Sequence, residues 1–244
     1  MDRLKPHTGG APLYRRVKEH LVREIAQGRY AVTDPMPSEQ RLAERFGVAQ
    51  GTVRRALDEL ARENLVIRHQ GRGTFVHAHG PERDLFHFFH LVAPDGERRL
   101  PTSRVLSVAR RRLSANEALA LKRPTTEHAA EIRRVRDLRG RHSILETIIV
   151  PDALFPGLGS LRADHVPNTL YQLYHERFGV IIHRAVEKIS ADAAGPDDVK
   201  HLGLDRNTPL LRIERIALTL EGQPVELRVS RCDTRHQAYL SDLV

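Results

Sequence analysis

Residues 37–57 read PSEQRLAERFGVAQGTVRRAL. Pro37-Ser38-Glu39 has the chemistry of a helix start. The Ser38 hydroxyl can accept a free backbone N–H of the first turn, and Glu39 suits the positive end of the helix dipole. Leu42, Ala43 and Phe46 then fall on one helical face, and Gly47 ends it. After Val48-Ala49 the apolar spacing resumes at Val53, Ala56, Leu57 and Leu60, which is i, i+3, i+4, i+7. Two short helices across so tight a turn predict a helix-turn-helix.

The flanks extend this reading. Leu13, Val17, Leu21 and Ile25 recur every four residues and predict a preceding helix, with Gly28 as its stop and a loop over 31–36. The second helix of the pair is expected to end near Glu63 and Asn64. Leu65-Val66-Ile67 and Thr74-Phe75-Val76 then flank the polar tip His69-Gln70-Gly71-Arg72-Gly73, a predicted β-hairpin. Helices followed by a basic hairpin make a winged helix-turn-helix. A helix fits the major groove of DNA and reads bases with its N-terminal residues, so Gln50, Gly51, Thr52 and Arg54 are the candidate readers. Arg55 is placed to hold a phosphate, and Ser38 is a further candidate at the start of the neighbouring helix. Gly71 lets the wing backbone approach the duplex, with Arg72 available to a phosphate or the minor groove. Three ordinary core helices with solvated arginines are the alternative for any one of these residues. The ordered set argues against it.

Charge points the same way. The formal net charge is +8, and residues 1–80 hold 14 Lys+Arg against 9 Asp+Glu, whereas residues 81–244 hold 25 against 22. The density of positive charge is greatest where the helix-turn-helix lies. Cys232 is the single cysteine, which excludes an intrachain disulfide and fits a reducing cytoplasm. Met1 to Gly10 has no apolar signal-peptide core, and no run approaches the ~18 apolar residues of a membrane span.

From His77 to about Phe86 the chain is polar and broken by Gly80 and Pro81, a predicted linker over 78–87 between an N-terminal domain at 11–77 and a second domain at 88–244. Strands are expected at Val105–Leu113, Ala130–Leu138, Ser143–Val150, Ala185–Ala193, Pro209–Thr219 and Pro224–Cys232. Turns are expected at Arg139-Gly140-Arg141 and Glu221-Gly222. Short helices are expected at Ala118–Lys122 behind a Ser114/Glu117 capping box, at Thr169–Phe178 capped by Asn168, and at Pro196–Leu202. Hairpins mixed with helices predict an α+β domain on an antiparallel sheet.

Residues 13–76 resemble the GntR-family DNA-binding domain through Leu13-Tyr14, Gly28-x-Tyr30, Pro37-Ser38-Glu39, Leu42-Ala43, Phe46-Gly47-Val48, Thr52-Val53-Arg54-Arg55-Ala56-Leu57, Leu65-Val66 and Gly71-Arg72-Gly73-Thr74-Phe75-Val76. The resemblance implies DNA contacts at Gln40, Gln50, Thr52, Arg54 and Gly71. The chain departs from it at Ala49-Gln50, where the family has Ser or Thr and then Arg, and at Thr33, where it has Gly. The remainder is similar to the effector domain of the HutC subfamily, which shares its fold with chorismate lyase. That similarity is carried by Pro101-x-Ser103-x-Val105-Leu106, Arg134-x-Arg136, Glu146, Thr169-Leu170-Tyr171, Phe178-Gly179, Leu202-Gly203-Leu204, Pro209-Leu210-Leu211 and Gly222-x-Pro224-Val225-Glu226. It implies an effector pocket formed by Arg134, Arg136, Glu146, Thr169, Tyr171 and Glu226. Cys232 stands where related domains carry an aromatic.

The residues themselves support an anion site. On a strand, Arg134 and Arg136 point to the same face. Two guanidiniums there repel unless a carboxylate or anion lies between them, and arginine forks suit carboxylate and phosphate. A cross-strand ion pair with Glu146, without any ligand, is the alternative. Of the 14 histidines, His77-x-His79 and His87-x-x-His90 have usable metal spacing, but a polar linker is the simpler reading, and no metal or cofactor is expected. Cys232 with His236 is a weaker candidate for a nucleophile pair. The expectation is a homodimeric, DNA-binding regulator of double-stranded operator DNA, a repressor by preference, controlled by a sugar phosphate or organic acid. An enzyme acting on a small carboxylate and an architectural DNA-binding protein are the rival readings.

Overall fold

The four-residue repeat from Leu13 forms α1 (Leu13–Ala26), which buries Val17, Leu21 and Val22. In this computed structural model, residues 12–26, 29–30, 34–63, 65–76, 89–219 and 221–241 are described. Gly28, Thr33, Asn64, the 78–87 stretch, His77, His79 and His87 lie outside them. The chain divides into two compact units, 1–83 and 84–244.

In the first unit α2 (Glu39–Phe46) buries Leu42, Ala43 and Phe46, and α3 (Gln50–Arg62) buries Val53, Ala56, Leu57 and Leu60. Between them Gly47 takes φ +65°, a left-handed conformation that favours glycine, and the chain turns within three residues. Glu24, also buried, accepts from Tyr30 and Arg45 and so ties α1 to α2. The wing is the antiparallel pair β1 (Val66–His69) and β2 (Gly73–Val76), held on the side of β2 by the Met36 N–H donating to the Thr74 carbonyl at 2.7 Å.

The second unit is built on a six-stranded antiparallel sheet in the order β4-β5-β6-β9-β8-β7. Its strands are β4 (Thr102–Arg112), β5 (His128–Leu138), β6 (Arg141–Pro151), β7 (Arg184–Ala193), β8 (Pro209–Leu218) and β9 (Pro224–Cys232). One face is covered by α5 (Leu170–Phe178) and neighbouring loops. There Phe155, Leu158, Leu170, Tyr171 and Tyr174 pack on Ala130, Ile132, Ile148 and Val150. The other face is covered by α4 (Ala115–Leu121), over Ala129, Ile149 and Leu227, and by α6 (Pro196–Leu202), over Val135 and Leu145. A separate two-stranded ribbon pairs β3 (Leu91–Val92) with β10 (Ala238–Tyr239).

The α+β antiparallel expectation holds, with local corrections. β4 starts at Thr102, three residues before the expected Val105. The capping box lies in the first turn of α4, which starts at Ala115 rather than Ala118, and Lys122 is its left-handed C-cap. The β5–β6 turn is Arg139-Gly140, both at positive φ, and Arg141 already belongs to β6. Asn168 does not cap α5: its side chain accepts from Ser103 and donates to the Pro101 carbonyl, and Thr169 takes the cap position without a side-chain bond.

Candidate functional site

The candidates of the first unit gather on α2, α3 and the wing. Ser38 caps α2, its hydroxyl oxygen accepting the Arg41 N–H at 3.3 Å. Gln40 is exposed and donates to Glu44 at 3.4 Å. Ala49 stands at the N-cap of α3 with no side-chain bond, so the first turn of α3 keeps its N–H groups free of a capping side chain. Gln50, Gly51 and Arg54 are exposed on its first turns, and Thr52 is half-buried. Apart from its chain neighbours and its own helix backbone, no atom of the described residues lies within 4 Å of where a Gly51 Cβ would stand, so this stretch of helix can approach a surface closely. Arg55 is exposed and stacks its guanidinium over the Tyr14 ring, 4.0 Å from the centroid. At the wing tip Gly71 has φ +73°, and Arg72 beside it is exposed. Absent from the expected set are Arg68 on β1 and Glu39, whose carboxylate faces Arg54, Gln50 and Arg68.

In the second unit, strand alternation builds a pocket. Along β5 the positions facing α5 read Ala130, Ile132, Arg134, Arg136. The first two fill the core, and the last two line a cavity of about 50 Å³. Arg134 pairs in register with Glu146 on β6, and Glu146 with Ser230 on β9. Arg134 Nε donates to Glu146 Oε2 at 2.6 Å and Ser230 Oγ donates to Oε1 at 3.2 Å. Arg228 and Arg136 stand 3.8 and 4.0 Å from the same carboxylate. Burial alone would raise the Glu146 carboxyl, but Arg134, Arg228 and Arg136 hold it far below the ordinary carboxylate range. The cross-strand ion pair expected as the alternative therefore exists, and it lies inside the pocket wall.

Asn168, Thr169, Leu170 and Tyr171 bring the N-terminus of α5 to the cavity, and Arg134 also donates to the Asn168 carbonyl at 3.0 Å. Glu226 is a correction: it does not line the cavity. It is fully buried behind it, accepting from the Tyr171 and Tyr174 hydroxyls at 3.1 and 2.8 Å and from Arg228 at 3.0 and 2.9 Å. Burial and the Glu226 charge push the Tyr171 hydroxyl up, so it stays a donor. Arg215 and Arg228 are lining residues the sequence reading missed, as are Phe89, His90 and Tyr239. The wall left open at Cys232 is thus built by aromatics from elsewhere in the chain, with Arg136 5.6 Å from the Phe89 ring centroid. Cys232 lines the cavity too. Burial pushes its thiol up, and His236 is exposed beside Arg141, so they form no nucleophile pair. Among the described residues no group of three or more His, Cys, Asp or Glu is placed for a metal ion, and no helix is long and apolar enough to cross a membrane.

Both units match known families. Residues 13–76 match the model for bacterial regulatory proteins of the gntR family, and residues 96–237 match the UTRA domain. The chain belongs to the GntR family, HutC subfamily. It carries a DNA-binding helix-turn-helix and an effector-binding UTRA domain. It is 29% identical over 236 residues to the HTH-type transcriptional regulator SmoD of Agrobacterium fabrum, covering 96% of this chain and 98% of SmoD. It is 29% identical to the HTH-type transcriptional repressor NagR of Bacillus subtilis, with 88% of each chain covered. The ligand-binding domain of a protein assigned to the GntR family from Bordetella bronchiseptica superposes with a TM-score of 0.56 at 31% identity, covering 64% of this chain and 96% of that domain. The relatives are transcription regulators, not enzymes, and this GntR-family chain is one of them.

Proposed function

We propose that this GntR-family protein is a cytoplasmic repressor that binds double-stranded operator DNA as a homodimer and is controlled by a small anion, a sugar phosphate or an organic acid, bound in the UTRA pocket. In this reading residues 11–77 bind DNA, 78–87 link, and 88–244 bind effector and dimerise. Ser38, Gln40, Gln50, Gly51, Thr52, Arg54, Arg55, Gly71 and Arg72 face DNA. Arg134, Arg136, Glu146, Thr169 and Tyr171 face effector.

The observation that carries the effector class is the charge of the cavity wall. Among the described residues Arg134, Arg136, Arg215 and Arg228 line it with the carboxylate of Glu146, while Glu226 and Glu187 pair with Arg228 and Arg215 from behind the lining, which leaves four arginines against three carboxylates. The N-terminus of α5, with no side-chain cap, adds N–H donors at the same end. Arginine forks and helix N–H groups together select a carboxylate or phosphate. Glu146 and Ser230 supply polar partners for ligand hydroxyls or an amine. The cavity wall includes the short β3/β10 ribbon, two residues per strand. β3 is also the first strand after the 78–87 stretch, which gives effector binding a path towards the DNA-binding unit. The NagR relative is named a repressor, which supports the sign of regulation.

The test is a thermal-shift and operator-release screen in which each hexose or hexosamine phosphate is paired with its neutral parent sugar, alongside a set of organic acids. Stabilisation by an anion, release of the duplex by the same anion, and no response to its neutral parent are expected. Equal responses to the neutral and anionic members of each pair would remove the anion site.

A further inference from the structure

Three elements of the first unit converge on one carboxylate. Glu39, the first residue of α2, accepts through Oε2 from Arg54 Nε at 2.9 Å and from the Gln50 amide at 3.4 Å, both on α3. Through Oε1 it accepts from Arg68 of β1, in the wing, at 3.3 Å. Arg68 reaches Asp58 on α3 at 2.9 Å as well. The Glu39 side chain is 20% exposed while that of Arg54 is 57% exposed, so the carboxylate forms the floor and the arginine projects from it.

A carboxylate on a DNA-binding face is costly. It repels phosphates, and it occupies arginine donors that could otherwise neutralise them. Its advantage is geometric. An arginine on a flexible stem meets whichever phosphate is nearest. One held at Nε keeps its terminal nitrogens as a fork in a set direction, which is what a guanine edge requires. The same oxygen holds Gln50, another exposed polar side chain in the first turns of α3. Arg68 braces Glu39 from the wing, so the orientation of the readers depends on the hairpin being in place.

We propose that Glu39, braced by Arg68, is a specificity-positioning residue that orients Arg54 and Gln50 for base reading and gives up non-specific affinity in doing so. The proposal rests on α3 being the base-reading helix. A residue serving only stability would change the melting temperature and leave base preference alone. The positioning role instead predicts opposite movements of two affinities.

The experiment uses the full chain. An operator is selected from random duplexes, and affinity is then measured at one salt concentration for that operator and for an unrelated duplex. Glu39→Gln, which keeps the shape and removes the charge, should bind the unrelated duplex several-fold more tightly. It should lose about fivefold or more of the operator-to-unrelated ratio. Arg68→Gln should lower the ratio by about two- to threefold without tightening the unrelated duplex. Arg54→Ala is the control and should collapse the ratio. If it does not, α3 is not the reading helix and the underlying assignment fails. If Arg54→Ala collapses the ratio while Glu39→Gln and Arg68→Gln both keep the wild-type value, the positioning role is wrong. Should Glu39→Gln lose its helical circular dichroism, the exposed Arg68→Gln decides alone.

Discussion

The proposed DNA-binding face and the proposed effector pocket both rest on arginine, and they hold it in opposite ways. Arg54, Arg55 and Arg72 are exposed, on helix and hairpin surfaces whose cores are complete without them. Arg134, Arg136 and Arg228 are almost fully buried, and Glu146 at their centre is buried with them. The first arrangement keeps charge at the surface, where a partner can reach it, and adds little to folding. The second spends its charge within the fold. There, removing one member strands the others in a medium of low dielectric. Function in the first unit is thus separable from stability, and in the second it is entangled with it.

The largest effect that would test this contrast is salt. If the exposed cations release counterions at ~6–10 phosphates, operator affinity should fall on the order of 10³–10⁵ between 50 and 200 mM salt. The response to effector should shift far less, because burial shields its arginines from screening by salt. Titrations of the duplex and of an effector hit across that range measure both, and equal slopes would break the contrast.

Next is Glu146→Ala. Left without their carboxylate, Arg134, Arg136 and Arg228 should cost about 3–5 kcal/mol of stability, seen in calorimetry as a lower melting temperature of the second unit. Acid acts on the same group. The Glu146 carboxyl is depressed in the fold, so its contribution is complete above the ordinary Glu value of about 4.3 and is lost progressively below it. Glu117, held at about 2 mainly by Arg111, adds to the same loss. A melting temperature of this unit that stays flat from pH 5 to pH 3 would contradict the arrangement.

Arg136→Ala is milder. Arg136 stands 4.0 Å from Glu146, whereas Arg134 is bonded to it, so Arg136 can be removed with less damage to the wall. It should lower effector affinity by ~1.5–3 kcal/mol and leave a repressor that stays on its operator when effector is added. Wild-type release by this variant would move the anion site elsewhere. The smallest effect is a change of base preference at unchanged stability. Gln50 matches adenine, and Gln50→Arg should shift one symmetric operator position towards guanine by about 1–3 kcal/mol. The same consensus from wild type and variant in a random-duplex selection would show that Gln50 reads no base.

The contrast also governs what the sequence discloses. The helix-turn-helix was legible because its signals are local: Ser38, Gly47 and the spacing of Val53, Ala56, Leu57 and Leu60 all act within a few residues. In the second unit the same local rules placed every long strand but misplaced the Asn168 side chain, whose partner Ser103 is 65 residues away. Arg134, Arg136 and Glu146 were visible through strand alternation and resemblance. Arg215 and Arg228 were not, because only the β5-β6-β9-β8 order and its register bring them to the cavity. Glu226 was placed in the pocket by the resemblance to the HutC effector domain alone. Its two tyrosine partners come from a helix more than 50 residues away. The two-residue strands β3 and β10 are too short for any periodicity to register.

That ribbon has a spectroscopic consequence. Tyr239 lines the cavity in the same strand pair as Leu91, and the Leu240 N–H donates to the His90 carbonyl at 2.9 Å. The last described strand therefore forms part of the cavity wall. A small fluorophore at the partly exposed Leu240 would sit one residue from the cavity wall and well away in sequence from the DNA-reading helix. Its emission would follow ligand entry directly, so occupancy of the pocket and release of the operator can be timed separately on the same molecule.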